Sequence, residues 1–358
     1  MDVHERFQLI SEVGEEIVTK EDLLKLLQEK KNFIAYDGFE PSGRIHIAQG
    51  ILRAINVNKM IKAGAKFKML VADWHGWANN KMGGDLEKIQ NTGKYFIEVW
   101  KASGMDLNNV EFVWASEMVK DPEYWKLVMK VAIKNTLNRT IRTVEIMGRE
   151  DSDSLQASQI LYPCMQTADI FYLDVDIAQL GLDQRKVNMM ARETADSLGL
   201  KKPLSVSHHM LMGLQQPSVE GLEGKDRAIK LKMSKSKPDT AIFMTDSKKD
   251  VERKMNNAWC PLKQVKENPV LEYCKYIVFG KYDSFDIKRP EKFGGDLFIK
   301  SYEELETMYK KGDIHPLDLK KTTATYINEM LEPVREHFEK EKNAKKLKEL
   351  VESYQVTR

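Results

Sequence analysis

Short apolar runs alternate along this chain with longer stretches in which apolar residues recur every three or four positions. That is the pattern of a parallel sheet wrapped by helices. The runs at 33–36, 67–72 (FKMLVA) and 110–115 (VEFVWA) predict central strands, and 168–173 lies near a fourth element. Between them, 85–103 carries Leu86, Ile89, Phe96, Ile97 and Trp100 at helical spacing. The stretch 45–63 does the same with Ile47, Ile51, Ala54, Ile55, Val57, Met60 and Ile61, and Gly64 can close it. Residues 4–30 read as two polar-faced helices, the second opening at Thr19 with Asp22 in its first turn. Ligands of such sheets bind outside the carboxyl ends of the strands. Tyr36, Asp73 and His75 fall at or just after strand ends, so they are predicted to point toward one crevice.

The periodicity fades at 217–239, which is rich in Gly, Lys and Asp. This segment is predicted to be a loop joining two bodies, and its length favours function over filler. Beyond it the chain is charged and helical, with helices predicted at 248–259, 269–278, 302–311, 317–338 and 343–354 and few strand signals between them. In the fourth of these, Tyr326, Ile327, Met330, Leu331, Val334 and Phe338 form a core stripe, with a kink predicted at Pro333. The expected division is an α/β parallel-sheet domain over 1–246 and an all-helical domain over 247–358.

One stretch adds chemistry to this pattern. Residues 35–50 read AYDGFEPSGRIHIAQG: a strand, a loop from Gly38 to Gly43 around Pro41, then a helix opening. Glycines let backbone approach a ligand, and free N–H groups at a helix start favour a phosphate. A plain corner of a doubly wound sheet has the same outline. His46 reads either as a donor to a phosphate oxygen or as a polar cap.

Composition narrows the classes further. Apolar residues make up 42% of 358, enough for a normal core, and 56 basic residues face 54 acidic ones. That balance excludes a chain that is basic everywhere, while leaving room for local basic patches facing nucleic acid. Cys164, Cys260 and Cys274 are too scattered for a disulfide framework or a zinc site and suit a reducing compartment. Asp2, Glu5, Glu12, Glu15 and Glu16 break every apolar run near the start, so neither a signal nor a transit peptide is expected. No apolar segment approaches the roughly 18 residues of a membrane span. The sequon at Asn138 is read as coincidence.

The ordered set GFEPSGRIHIAQG, YPCMQTADI, GLDQRK, KMSKS and HPLDLK resembles class I aminoacyl-tRNA synthetases, and within them the tyrosyl branch of the eukaryotic and archaeal type. The likeness covers about 22–338. One departure stands out. The usual first signature is His-x-Gly-His, and here it reads His46-Ile47-Ala48-Gln49. Gln49 can still donate a hydrogen bond but carries no charge, and Ala48 puts a methyl group where backbone could approach the nucleotide.

The resemblance implies a Rossmann-like catalytic domain (1–246, including the KMSKS loop) followed by an anticodon-binding domain (247–358). It implies that L-tyrosine is activated with ATP and transferred to tRNA(Tyr), with Mg²⁺ on the ATP and pyrophosphate and no metal cage in the protein. His46, Gln49, Lys232 and Lys235 would be catalytic. Gly38 and Glu40 would flank the nucleotide, joined by Met233, Ser234 and Ser236 of the loop. Tyr36 and Asp169 would face the phenol hydroxyl. Tyr162, Gln166 and Gln184 would hold the α-ammonium, with His75 lining the same pocket. The spacing i, i+4, i+7 of Tyr162, Gln166 and Asp169 puts them on one face if the segment is helical. The plainer alternatives are a core aromatic for Tyr36 and a helix cap for Asp169.

For tRNA, Phe293 would stack on the first anticodon base and Asp318 would hydrogen-bond it. From the residues alone these two read as core and as an N-cap. Arg185 would lie near the first acceptor base pair, and Lys134, Arg139, Arg142 and Arg149 form a basic run suited to acceptor phosphates or to solvent. A cytoplasmic homodimer is implied, with Val128, Val131 and Ile133 as candidate seam. Two rivals remain: the tryptophanyl branch, which needs an acceptor for an indole N–H, and a catalytically silent RNA-binding paralogue.

Overall fold

The computed structural model describes residues 1–148, 154–218 and 221–354. Strands β1 (Glu16–Val18), β2 (Phe33–Phe39), β3 (Ala65–Val71), β4 (Val110–Trp114), β5 (Ile177–Ala178) and β6 (Leu204–Ser207) form one sheet in the order β1-β6-β5-β2-β3-β4. All neighbours are parallel except β1, which runs antiparallel along β6 at the edge. Phe33, Ala35, Tyr36 and Asp37 are all buried along β2, as befits a central strand covered on both faces.

Several elements differ from their sequence outline. The helix expected from 45 begins only at Ile51. The preceding residues are drawn into another contact: His46 forms a β-bridge with Phe243, Ile47 N donates to Ile242 O, and Met244 N donates to Ile45 O. A Cβ at Gly50 would lie 2.2 Å from Met244 Sδ, so any side chain there would have to displace the buried Met244. The segment 168–173 belongs to the Ala157–Tyr172 helix, and the next strand is the two-residue β5. β1, short and half-buried, falls between the first two helices. Within the loop expected at 217–239, Gly224–Leu231 is helical. The C-terminal part is helical apart from one antiparallel hairpin, β7 (Phe285–Ile287) with β8 (Leu297–Ile299). The Pro316–Lys340 helix continues through Pro333.

One apolar cluster runs from Ile10 through the helices Ile51–Lys62 and Leu86–Ala102 to Val351, so the first and last thirds of the chain share a core. His337 Nε2, 2.7 Å from Glu98, and Arg44, paired with the buried Asp246, bind the same parts together through polar contacts. A second cluster lies around Tyr36, Tyr124, Val128, Val131 and Ala168. Val128 and Val131 are therefore interior, whereas Ile133 is 76% exposed and shares an apolar strip with exposed Met129 and Leu137.

The carboxyl end of the sheet is fixed by one buried cation. Arg53, 1% exposed, projects from the Ile51–Lys62 helix and pairs with Asp37 of β2. It also donates to the side chain of Gln179, next after β5. His208, next after β6, sets Nδ1 3.4 Å from Arg53 Nη1 and 3.0 Å from Gln179 Nε2. The guanidinium also lies 5.6 Å from the Phe67 ring of β3. Burial pushes the Asp37 carboxyl up, against the pull of Arg53. Burial and the neighbouring Arg53 push His208 well below its ordinary value, so it is a neutral acceptor. Arg53→Met strands Asp37 without its cation, and breaking such a buried pair costs about 3–5 kcal/mol. Urea unfolding of the variant should show that loss; a change below about 1 kcal/mol would contradict the pairing.

Candidate active site

A cleft of about 770 Å³ opens at the carboxyl ends of β2 and β5. Its wall includes Tyr36, Gly38, Glu40, His46, Gln49 and His75 from the first half of the sheet. Tyr162, Gln166, Asp169 and Gln184 come next, and Lys232, Met233, Ser234, Lys235 and Ser236 close it. Every residue singled out for amino acid or nucleotide thus lies around one space. Asp73 does not. It is fully buried behind the wall, accepting from Ser116 N at 2.9 Å and Gln90 Nε2 at 3.0 Å.

At the closed end, Asp169 sits within the Ala157–Tyr172 helix, fully buried, which removes the cap reading. Its Oδ1 accepts from Tyr124 Oη at 2.8 Å. Its Oδ2 lies 2.9 Å from His75 Nε2, out of line for a hydrogen bond, and has no hydrogen-bond partner. Burial works against charge on His75, but the Asp169 carboxylate outweighs it and raises His75 above its ordinary value. Burial, then the charges of Asp169 and Asp37, lift the Tyr36 hydroxyl well above its ordinary range, so it keeps its proton. Gly38 leaves the room this needs, since a Cβ there would stand 3.3 Å from Tyr36 Oη.

Along the same helix face, Gln166 Nε2 donates to Gln184 Oε1 at 3.1 Å, and Gln184 Nε2 donates to Ile146 O at 3.0 Å. Gln166 Oε1 is buried without a partner. Tyr162 packs edge-on to His75 with ring centroids 5.2 Å apart. Such orphaned atoms are uncommon in a folded interior. Here Asp169 Oδ2, Gln166 Oε1, Gln49 Oε1 and His46 Nδ1 all belong to residues of this one cleft.

The open end is cationic. Lys232 Nζ pairs with Asp183 at 2.5 Å. Lys235 is half-buried, 4.7 Å from the Phe96 ring centroid and 3.4 Å from Ser42 Oγ. Burial and the nearby Lys81 push Lys235 down to about 7. Burial, with Lys235 and Lys232 adding to it, pushes His46 down to about 3, leaving a neutral ring. His46 is no helix cap: the helix starts five residues later, and Gln49 N and Gly50 N donate instead to the His46 carbonyl at 2.9 Å each. Glu40 accepts from Asn79 Nδ2 at 3.0 Å and lies 3.6 Å from Lys81. Opposed charges lie along the wall, a setting that suits a polyanion beside a zwitterion.

Four partners were not found by motif. Tyr124, Asn79, Asp183 and His208 act on the cleft from elements whose meeting only the fold reveals. Asp183 alone carried a signal, lying inside GLDQRK beside Gln184.

Of the distal residues, Phe293 is 61% exposed, which removes the core reading. Asp318 stands in the first turn of the Pro316–Lys340 helix, whose N-cap is His315. Arg289 links the two regions, donating to Gly295 O at 2.6 Å and to Asp313 O at 2.9 Å. Arg185 pairs with Glu16 at 2.7 Å, and Arg139 with Glu193 at 2.7 Å. Arg149 lies outside the described residues. Among the described residues no cluster of three or more His, Cys, Asp or Glu could hold a metal ion, and no helix is long and apolar enough to cross a membrane.

Residues 28–332 match the family described as tRNA synthetases class I (W and Y). The chain is 51% identical over its whole length to "Tyrosine--tRNA ligase 1, cytoplasmic" of Arabidopsis thaliana, covering 90% of that protein. It is 44% identical to a tyrosine–tRNA ligase of Saccharolobus islandicus, with 95% of each chain aligned. The solved tyrosyl-tRNA synthetase of Pyrococcus horikoshii, complexed with L-tyrosine, superposes with a TM-score of 0.90 at 39% identity, covering 98% of this chain and 100% of that one. The chain belongs to the tyrosyl-tRNA synthetase family of class I aminoacyl-tRNA synthetases.

Proposed function

We infer that the protein activates L-tyrosine with ATP, releasing pyrophosphate, and transfers the tyrosyl group to the 3′-terminal adenosine of tRNA(Tyr). The observation that carries this reading is Asp169, fully buried at the closed end of the cleft, with one oxygen held by Tyr124 and the other facing His75 Nε2 at 2.9 Å while accepting no hydrogen bond. A phenol can donate to Asp169 Oδ2 and accept from the Tyr36 hydroxyl, whose proton is firmly held. Phenylalanine would leave both groups buried and unpaired; rejection of an analogue lacking the hydroxyl follows from that cost, and tyrosyl enzymes are the standard instance of the rule.

Tyr162, Gln166 and Gln184 are suited to the α-ammonium, leaving the substrate carboxylate directed toward the nucleotide. A carboxylate is ionised at neutral pH, so its attack on the α-phosphorus needs no general base. As its oxygen bonds to phosphorus, the bond to pyrophosphate breaks and charge gathers on the leaving group. Alignment and preorganised donors then carry the catalysis. Lys232 and Lys235 supply positive charge, Ser234, Ser236 and Gln49 supply donors, and neutral His46 can donate one N–H. Gly38 and Glu40 border the nucleotide, and Met233, buried beneath the loop, anchors it. Mg²⁺ enters bound to ATP, needing no cage of protein ligands.

We assign the catalytic domain to 1–246 and the anticodon-binding domain to 247–358. All six strands of the main sheet precede the boundary, which supports that division. Exposed Phe293 and first-turn Asp318 are read as contacts to the first anticodon base. Arg185, with Lys134, Arg139 and Arg142, is assigned to the acceptor arm, whose phosphates would compete with Glu16 and Glu193 for the two paired arginines. The strip of Met129, Ile133 and Leu137 fits a second copy of this chain, and a cytoplasmic setting matches the name of the Arabidopsis relative.

Pyrophosphate exchange into ATP tests the central reaction: L-tyrosine should support it, and phenylalanine and tryptophan should not. Exchange driven by tryptophan would overturn the substrate. Asp318→Ala should leave this exchange unchanged and raise the KM for tRNA about tenfold, the scale of losing one base contact; an unchanged KM would remove the contact. Lys235 gives a pH test. Its proton is present below about 7 and lost as pH rises through that value. Phosphates favour the charged form, so ATP binding takes up a proton. The KM for ATP should therefore climb from pH 7 to 9, and Lys235→Arg, always charged, should flatten the climb. Identical profiles for the two would contradict that role.

A further inference from the structure

The KMSKS arm is held by backbone, and the segment that holds it is held from its other edge. Residues 211–213 run beside the start of the motif: Met233 N donates to Leu211 O at 2.7 Å, Gly213 N to Leu231 O at 3.0 Å, and Met212 bridges Lys232. The opposite edge of this segment meets side chains from far along the chain. Met212 N donates to Glu272 Oε2 at 2.8 Å, and Met212 O accepts from the buried Tyr273 hydroxyl at 2.8 Å. Both polar groups of Met212 are thus taken by the Pro269–Tyr273 helix of the C-terminal part.

Glu272 is itself ion-paired at its other oxygen, without a hydrogen bond from His209. Its Oε1 lies 3.1 Å from His209 Nε2, and His209 Nδ1 lies 2.9 Å from Glu15. The His209 ring stacks flat on Tyr276, centroids 4.2 Å apart and planes 9° apart. Tyr276 sits in a wide π-type turn, Cys274–Val278, that follows directly on the Pro269–Tyr273 helix. Such turns often mark working parts of helical proteins. Burial disfavours a charged His209, but Glu15 and Glu272 raise it to about 9, so a cation lies between two carboxylates. A charge-assisted bond to a backbone N–H is stronger than a neutral one.

We propose that Glu272, braced by His209 and assisted by Tyr273, is a positioning residue for adenylate formation, fixing 211–213 and through it the Lys232–Met233 arm over the nucleotide. The proposal rests on the function inferred above and adds a route by which the C-terminal part sets the geometry of the phosphate end. The tyrosine end does not share these contacts. Tyr36 lies on β2, and Tyr162, Gln166 and Asp169 lie on the Ala157–Tyr172 helix. Misplacing a phosphate-binding group by about 1 Å can cost about 100-fold in rate. Loosening Glu272 should therefore slow the reaction without loosening the amino acid.

The test uses the full chain. Glu272→Ala should lower kcat for tyrosine-dependent pyrophosphate exchange by about tenfold or more. Its Kd for tyrosine, from equilibrium titration, should stay within about twofold of wild type. Glu272→Gln, which still offers an oxygen to Met212 N, should recover most of the rate. An unaltered kcat in Glu272→Ala, or equal losses of kcat and tyrosine binding, would overturn the proposal. If Glu272→Ala does not fold, Tyr273→Phe, which removes only the hydroxyl on Met212 O, carries the same expectations and the same refutation. Wild-type protein lacking exchange would instead overturn the underlying function.

Discussion

The cleft depends on a guanidinium placed where the strands end. A parallel sheet brings its strand ends together, but two-residue β5 and four-residue β6 have little pairing of their own to fix how they finish. Arg53 supplies the missing constraint by reaching Asp37 near the end of β2, Gln179 just past β5 and His208 just past β6. A buried ion pair is weak grounds for stability, because desolvating both charges offsets much of their attraction. Its worth here is geometric. Asp37 and His208 line the cleft, so the cation that joins them sets the spacing of its floor.

On that floor the two ends work by opposite means. The closed end is buried, with Asp169, Tyr36 and His75 all shielded, and selection there would come from hydrogen bonds that a wrong side chain leaves unmade. The open end is half-exposed, and its lysines rest on stand-ins, Asp183 for Lys232 and the Phe96 face with Ser42 for Lys235. A triphosphate offers both lysines better partners. His46 between them is held neutral, so it adds a hydrogen bond without adding to their repulsion.

Much of this was legible in the sequence. The apolar runs of β2 and β3 and the stripe of Leu86–Ala102 are strong local signals, the run at 110–115 gave a strand but at the edge of the sheet rather than its centre, and motif order indicated which residues would gather around one space. The misses share a cause. β1, β5 and the three-residue strands of the hairpin at 285–299 are too short for a periodic signal, and that hairpin is joined by a long turn through left-handed Gly294 and Gly295, with Asp286 N donating to Tyr326 Oη across the fold. The helix expected from 45 starts late because Phe243 and Met244, two hundred residues on, claim the backbone first. Tyr124, Asn79 and His208 carried no pattern because each acts on a residue distant in sequence. Asp73 looked like a wall residue by position, yet Gln90 and Ser116 draw it behind the wall.

The central claim is that one cleft aligns a tyrosine and a triphosphate end to end. A crystal structure with tyrosine and a non-hydrolysable ATP analogue tests it most directly. The phenol oxygen should lie within hydrogen-bond distance of Asp169 Oδ2 and Tyr36 Oη, the β- and γ-phosphates against Lys232 and Lys235, and the carboxylate should face the α-phosphorus. A phenol bound away from Asp169, or phosphates lying beyond reach of both lysines, would contradict it.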